Sequence, residues 1–196
     1  MGALAPTGSY PFDRQRQGFV LGEGAAILVL EDRCCAEQRS ASIYGAILGF
    51  GLTADGYHYT APAQDRRWAI AAVNHALERS GLSPRDIHYI HAHGTATPLN
   101  DQAEAALIAH LFPPSVPVSS TKGATGHTLG ASGAIGVIFA LKAVQQQVLP
   151  PCVGLREPAF DLNLIQTAQL SSVQTALCLG FGFGGQNAAL VVGVCK

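Results

Sequence analysis

VSSTKGATGHTLGASG, residues 118–133, sets Lys122 and His127 five positions apart among glycines and small polar residues. Small polar residues lead in, and an apolar run follows (Ile135, Val137, Ile138, Leu141). The pattern predicts a buried strand end, a tight loop and then a helix, with a cation and an imidazole held on the loop. Chemistry-bearing groups concentrate on such loops because a rigid scaffold can aim them. The question for the rest of the chain is what meets this loop.

The chain has 196 residues, 48% of them hydrophobic and 13% charged, with a net charge of −1. This composition predicts a well-buried core. The near-neutral charge leaves no basic footprint for nucleic acid. Gly, Gln or His interrupts each apolar run short of the ~18 residues of a membrane span. No charged n-region and apolar h-region open the chain, so a cytoplasmic location is expected. The five cysteines are odd in number, irregularly spaced and without a CxxC pair. A disulfide framework or a cysteine zinc site is not expected.

Taken in order, residues 19–30 (FVLGEGAAILVL) read as a buried strand, 31–39 as a short helical or turn connection, and 41–52 as a second strand. These two strands could pair as an antiparallel hairpin. Helices are expected at 68–80, 102–112 and 131–147, with Gly81 and Pro113 as stops. Strands are expected at 87–92, 116–120, 176–179 and 187–194, with an extended stretch at 150–155. Residues 93–101 read as a loop and GFGFGG as a turn. The order α-β-α-β-α-β-β argues for α/β layers about a largely parallel sheet.

In such sheets ligands gather at strand ends. Three exits carry chemistry: His93-Gly94-Thr95, Lys122 with His127, and the glycine turn holding Phe181 and Phe183. Two histidines and a lysine on one rim suit proton handling and stabilisation of developing negative charge. The bland alternative is that each histidine bonds within its own loop while Lys122 is solvated. Glu104 is either a surface carboxylate or a buried partner for Lys122. Several matches fail on context. Residues 180–185 fit GxGxxG but lead into a strand rather than a helix. Ser119 to Lys122 fits SxxK without the partner motifs of that hydrolase class. His91 and His93 have no third metal ligand in sequence reach.

The stretches PFDRQRQGFVLGEGAAILVLED, YHYTAP, GLSPRDIHYIHAHGTATPLND, VSSTKGATGHTLGASGA and GFGFGGQNA together resemble the β-ketoacyl-acyl carrier protein synthases. These are condensing enzymes of the thiolase-like superfamily. The resemblance runs in family order over essentially the whole chain. It implies a thiolase-like α/β fold and decarboxylative condensation of an acyl thioester with malonyl-acyl carrier protein, in fatty-acid or polyketide synthesis. On its terms His93 and His127 match the active-site histidines and Lys122 the active-site lysine. Glu104 matches the acid that pairs with that lysine. Thr95 and Thr97 match the threonines that bind the phosphopantetheine arm. Phe183 matches the gating phenylalanine whose amide helps form the oxyanion hole, and Phe181 flanks it. No cofactor or metal is implied, since phosphopantetheine arrives on the carrier protein.

The family nucleophile is a cysteine in a Thr-Ala-Cys-type turn, farther upstream of the first active-site histidine than the 92 residues that precede His93 here. None of the five cysteines has that context. Ala96, and Leu179-Gly180, are milder departures. The chain is therefore expected to be the C-terminal half of a synthase, residues 53–196. Residues 1–52 would contribute the closing hairpin of the N-terminal half. Without the nucleophile, the chain alone is expected to be inactive in condensation. Expected partners are acyl carrier protein and either a second copy or the missing N-terminal half. The competing readings are a chain-length-factor-like scaffold and a cysteine-independent malonyl-thioester decarboxylase.

Overall fold

The computed structural model describes residues 3–195. Along the chain lie α1 (Arg33–Gln38), β1 (Ala46–Ala54), α2 (Arg67–Ser80), β2 (Tyr89–His91), α3 (Pro98–Leu111), β3 (Pro117–Ser119), α4 (Lys122–Thr125) and α5 (Ser132–Gln146). Then come the short strands β4 (Val148–Leu149), β5 (Asn163–Leu164) and β6 (Gln169–Leu170), and the long pair β7 (Thr175–Gly182) and β8 (Gln186–Gly193). The main sheet has six strands in the order β1-β8-β7-β2-β3-β5. β8 is antiparallel to both neighbours, and β2, β3, β5 and β7 are mutually parallel.

The sheet is buried on both faces at its centre. Strand alternation sends Ile90, Leu177, Leu179 and Val191 toward α2 and α3, and Tyr89, Ala176, Cys178 and Val192 toward α5. Two glycines fix how α2 sits. A Cβ at Gly51 would lie 1.9 Å from the Ala72 carbonyl oxygen, and one at Gly49 would lie 2.2 Å from that of Ala76. The backbones therefore meet directly. Gly81 ends α2 in the left-handed region, φ 67°, where a residue without Cβ carries no steric penalty.

Helices and parallel strands stand where their periodicity puts them, but residues 19–30 do not. They form no regular strand, and β1 pairs with β8 rather than with them. Ile27, Val29 and Leu30 are 89%, 84% and 71% exposed. A buried strand needs a sheet to accept its ladder and apolar faces, and none of the described residues supplies one. Residue 52 lies inside β1. Three smaller differences concern where elements begin and end. α3 begins at Pro98, because the Thr97 hydroxyl caps the amide of Asn100. β7 continues through Gly182, so the turn shrinks to residues 183–185. Residues 150–155 form a turn rather than a strand, with the Cys152 amide held by the Ile165 carbonyl.

Residues 129–146 have a mean hydropathy of 1.2 over 18 residues, and only 22% of them are buried. One face of α5 packs on β2, β7 and β8. The outward positions are Gly133, Lys142, Gln145 and Gln146, while the larger apolar residues of the helix are half-buried.

Candidate active site

His93 follows β2, Lys122 opens α4 just after β3, and His127 follows α4. The parallel pairing of β2 with β3 brings the first two strand ends side by side. The Lys122 ammonium donates to the His93 carbonyl oxygen and lies 3.5 Å from His93 Nδ1. The imidazoles of His93 and His127 stand edge to face, with ring centroids 5.5 Å apart. Phe181 meets the His93 ring edge-on at 5.9 Å. All of these side chains line one cavity of about 660 Å³, together with Thr95, Thr97, Glu104 and Phe183.

Hydrogen bonds set the tautomers. His127 Nδ1 accepts from the Leu129 amide at 3.1 Å and lies 3.1 Å from Ser132 Oγ. The proton of the neutral ring is therefore on Nε2. His93 Nδ1 faces an ammonium, which assigns its proton to Nε2 as well. Burial, then the charge of Lys122, holds His93 well below the ordinary histidine range and His127 at about 4. Both rings are neutral donors at physiological pH. Burial also lowers Lys122 to about 8, with Glu104 and Asp101 opposing it.

Glu104 is 1% exposed, and it does not pair directly with Lys122. No contact within 4.0 Å joins the two among the described residues. Its carboxylate accepts instead from the amides of His93 (2.6 Å) and Gly94 (2.8 Å) and from the Asn100 side chain (3.1 Å). The acid and the lysine thus act on one another through His93. Thr95 and Thr97 join their hydroxyls at 2.8 Å at the cavity wall. Phe183 sits in the turn, 62% exposed, and the next amide, of Gly184, donates to the Tyr59 carbonyl at 2.7 Å.

Several supporting residues lie in the stretches that carry the family resemblance, which assigned them no role. Asp101, fully buried, accepts from the amides of Phe12 (2.8 Å) and Ala96 (3.1 Å). Both are non-glycine residues at positive φ, 63° and 64°, a conformation that persists only when neighbours enforce it. Arg16 Nε approaches the same carboxylate at 3.9 Å. Residues 20–22 bracket His127: its amide donates to the Val20 carbonyl, and its carbonyl accepts from the Gly22 amide. Phe19 packs on its ring at 4.7 Å. A Cβ at Gly22 would fall 2.0 Å from the Thr125 carbonyl oxygen, which explains a glycine beside Glu23.

The thiols are poor nucleophiles or distant ones. Cys152 and Cys178 are buried, and burial pushes each up to about 12. Reactive cysteines sit in settings that lower the thiol pKa instead. Cys34 and Cys35 are exposed on α1, outside the cavity lining. Among the described residues no three His, Cys, Asp or Glu side chains are grouped to hold a metal ion.

A thiolase-like α/β sheet with two histidines and a lysine at adjoining strand ends defines a class, and the comparisons place the chain within it. Residues 44–156 match the model of the β-ketoacyl synthase C-terminal domain, and the chain belongs to the β-ketoacyl synthase family. The mitochondrial 3-oxoacyl-(acyl-carrier-protein) synthase of Arabidopsis thaliana is 42% identical over 192 residues, covering 93% of this chain and 42% of that protein. A chain of the ishigamide ketosynthase/chain length factor superposes with a TM-score of 0.95 at 36% identity, covering 100% of this chain and 49% of that one. A chain from a type II polyketide acyl-carrier protein in complex with its hexaketide-bound ketosynthase gives 0.92 at 31% identity, covering 100% and 51%. The chain thus spans about half the length of the relatives it matches.

Proposed function

We propose that this chain is the acid-base and substrate-binding half of a condensing acyltransferase, residues 53–196, carrying at its start the end of the preceding half. Its site binds a malonyl thioester presented on the phosphopantetheine arm of an acyl carrier protein. The observation that carries this reading is the pair of neutral imidazoles of His93 and His127 standing edge to face in one cavity beside Lys122. Two neutral donors lining one cavity suit a thioester oxygen that gains charge as carbon dioxide leaves. The bond between the malonyl carboxylate and its α-carbon breaks. The electron pair moves into the thioester carbonyl, and the resulting enolate oxygen accepts the two N–H bonds. Protonation of the α-carbon by water then gives an acetyl thioester, whereas condensation requires an acyl group on a cysteine. No thiol of this chain suits that role, so decarboxylation is the partial reaction open to it alone.

Condensation then needs a further segment that supplies the nucleophile, and the exposed apolar strip at 27–30 suits contact with it. The resemblance to a ketosynthase/chain length factor structure supports pairing of this kind, and the carrier-protein complex supports the carrier as substrate donor. The fatty-acid or polyketide setting, a dimeric assembly and a cytoplasmic location belong to the same proposal. A pure scaffold role is disfavoured by the retention of His93, Lys122 and His127 together.

The test is release of carbon dioxide from malonyl-acyl carrier protein by the purified chain, alongside His127→Ala. Release lost in the variant supports the reading, and equal background from both refutes it. Labelled acyl-carrier protein should leave no stable thioester on any of the five cysteines.

A further inference from the structure

A third imidazole lies beneath the pair and has no part in the chemistry just described. His91 is 3% exposed at the end of β2. Its Nε2 lies 3.2 Å from the hydroxyl of Thr121, the residue that caps α4 immediately before Lys122. The Thr121 carbonyl in turn accepts from the amides of Ala124 (2.9 Å) and Thr125 (3.0 Å). On its other side Lys122 is preceded by Ser120, whose hydroxyl donates to the Gly94 carbonyl at 2.9 Å. The backbone entering Lys122 is therefore tied by two hydroxyls, one to the His93 loop and one to His91.

The His91 ring is itself fixed. It stacks on Phe139 of α5 at an interplanar angle of 10°, centroids 6.2 Å apart. A Cβ at Gly136 would fall 3.0 Å from Cε1 and 3.1 Å from Nδ1 of the ring. The glycine thus opens the space in α5 that the ring fills. Titratable neighbours are Lys122 from α4, His93 beyond the same strand, Tyr89 within it, and Cys178, which pairs with His91 across β7.

Building on the proposed site, we infer that His91 is a positioning residue for Lys122, acting through the Thr121 hydroxyl. It ties α4 and α5 to β2 and keeps the ammonium desolvated against His93. A protonated ring there would repel Lys122. Burial, with the lysine charge, keeps this ring neutral down to about pH 3. The role is neutral bracing, so a ring of the same shape without the hydrogen bond should fail to provide it.

The test uses the full chain with ¹⁵N-labelled lysine, following the Lys122 resonance through a pH titration. His91→Phe keeps the ring stack and loses the bond. Thr121→Val loses the same bond from the other end and reads it even if the first variant does not fold. Each should raise the Lys122 midpoint from about 8 by a unit or more toward its value in water. The double variant should move it no further than the larger single. In the malonyl assay each should lower kcat about tenfold with KM within about twofold. An unmoved midpoint in folded Thr121→Val, or additive shifts in the double, overturns the inference. Absence of carbon dioxide release by the wild type refutes the functional reading instead, and the lysine titration still decides the role of His91.

Discussion

Glu104 and Lys122 hold His93 from opposite sides of its backbone without touching one another. The carboxylate takes the His93 amide at 2.6 Å, and the ammonium donates to the His93 carbonyl. The geometry explains why two buried charges of opposite sign are tolerated. Each is satisfied by the peptide of the residue it positions, and their attraction acts through a ring and a turn. A direct buried ion pair is often no more stabilising than apolar packing, whereas this arrangement orients an imidazole.

Glu104→Gln should therefore change the site in two measurable ways. The amide cannot accept on both arms, so one N–H of the His93 turn loses its partner, at a cost of about 1–3 kcal/mol in folding stability. The lost negative charge also removes a contribution that raises the Lys122 pKa. Lys122 should then titrate below its wild-type value of about 8, the opposite direction from the Thr121→Val shift. Urea denaturation measures the first effect and lysine NMR the second.

The pH dependence of stability should carry the mark of His91. Its folded-state pKa is about 3, against 6.5 for the free side chain, chiefly through burial. Between these values the unfolded chain binds the proton and the fold does not, so stability falls as pH drops through that window. The full loss is of the order of a few kcal/mol. Glu104 and Asp101 are shifted upward by burial and act in the opposite sense, gaining stability as pH falls. The comparison with His91→Phe isolates the term. The variant should lose less stability than the wild type from pH 6.5 to 4, in matched thermal melts. Parallel curves would show that the ring is neutral for no energetic reason.

Much of this architecture can be read from local pattern. The helical stripe of Ile70, Val73, Ala76 and Leu77, the Gly81 stop and the α/β alternation all depend on neighbours within a few residues. So do the placements of Lys122 and His93, which sit where strands end. What local pattern misleads on is residues 19–30, whose composition describes the partner that segment requires, not one this chain holds. What it omits is contact over long separations. The Asp101 carboxylate holds the Phe12 amide 89 positions away, and Asp13 accepts from the Arg156 and Glu157 amides at 143 and 144. Glu104 looked like a lysine partner because charge type is visible in sequence, while the competing claim of two backbone amides is not.

Glycine substitutions should separate close backbone contacts from open positions. In Gly51→Ala the new methyl meets the Ala72 carbonyl oxygen at 1.9 Å, so α2 must lift from β1. A loss of at least about 2 kcal/mol is expected, as for other overpacked contacts. At Gly133 on α5 nothing lies within 4 Å of an added Cβ. There alanine should be neutral or stabilising by up to about 1 kcal/mol through helix propensity. Denaturant midpoints of the two variants should move in opposite directions or differ by that sum.

The strip at Ile27, Val29 and Leu30 should govern how the isolated chain behaves in solution. Each of the three is at least 71% exposed, so their side chains contribute little to the stability of this fold. An apolar extended segment with open backbone groups is instead a template for association. Replacing the three with Thr, Lys and Ser should leave the melting temperature within about 2 °C, because no packed contact is lost. The same change should shift the chain from large, concentration-dependent species toward monomer in light scattering coupled to size exclusion. If the wild type is already monodisperse, or the melting temperature falls by several degrees, the segment packs on its own chain and is not an open face. His127 is bracketed by residues 20–22, upstream of the substitutions, so carbon dioxide release should persist in the triple variant. Complementation by a polypeptide bearing the nucleophile should weaken, because that partner would dock on the side chains removed.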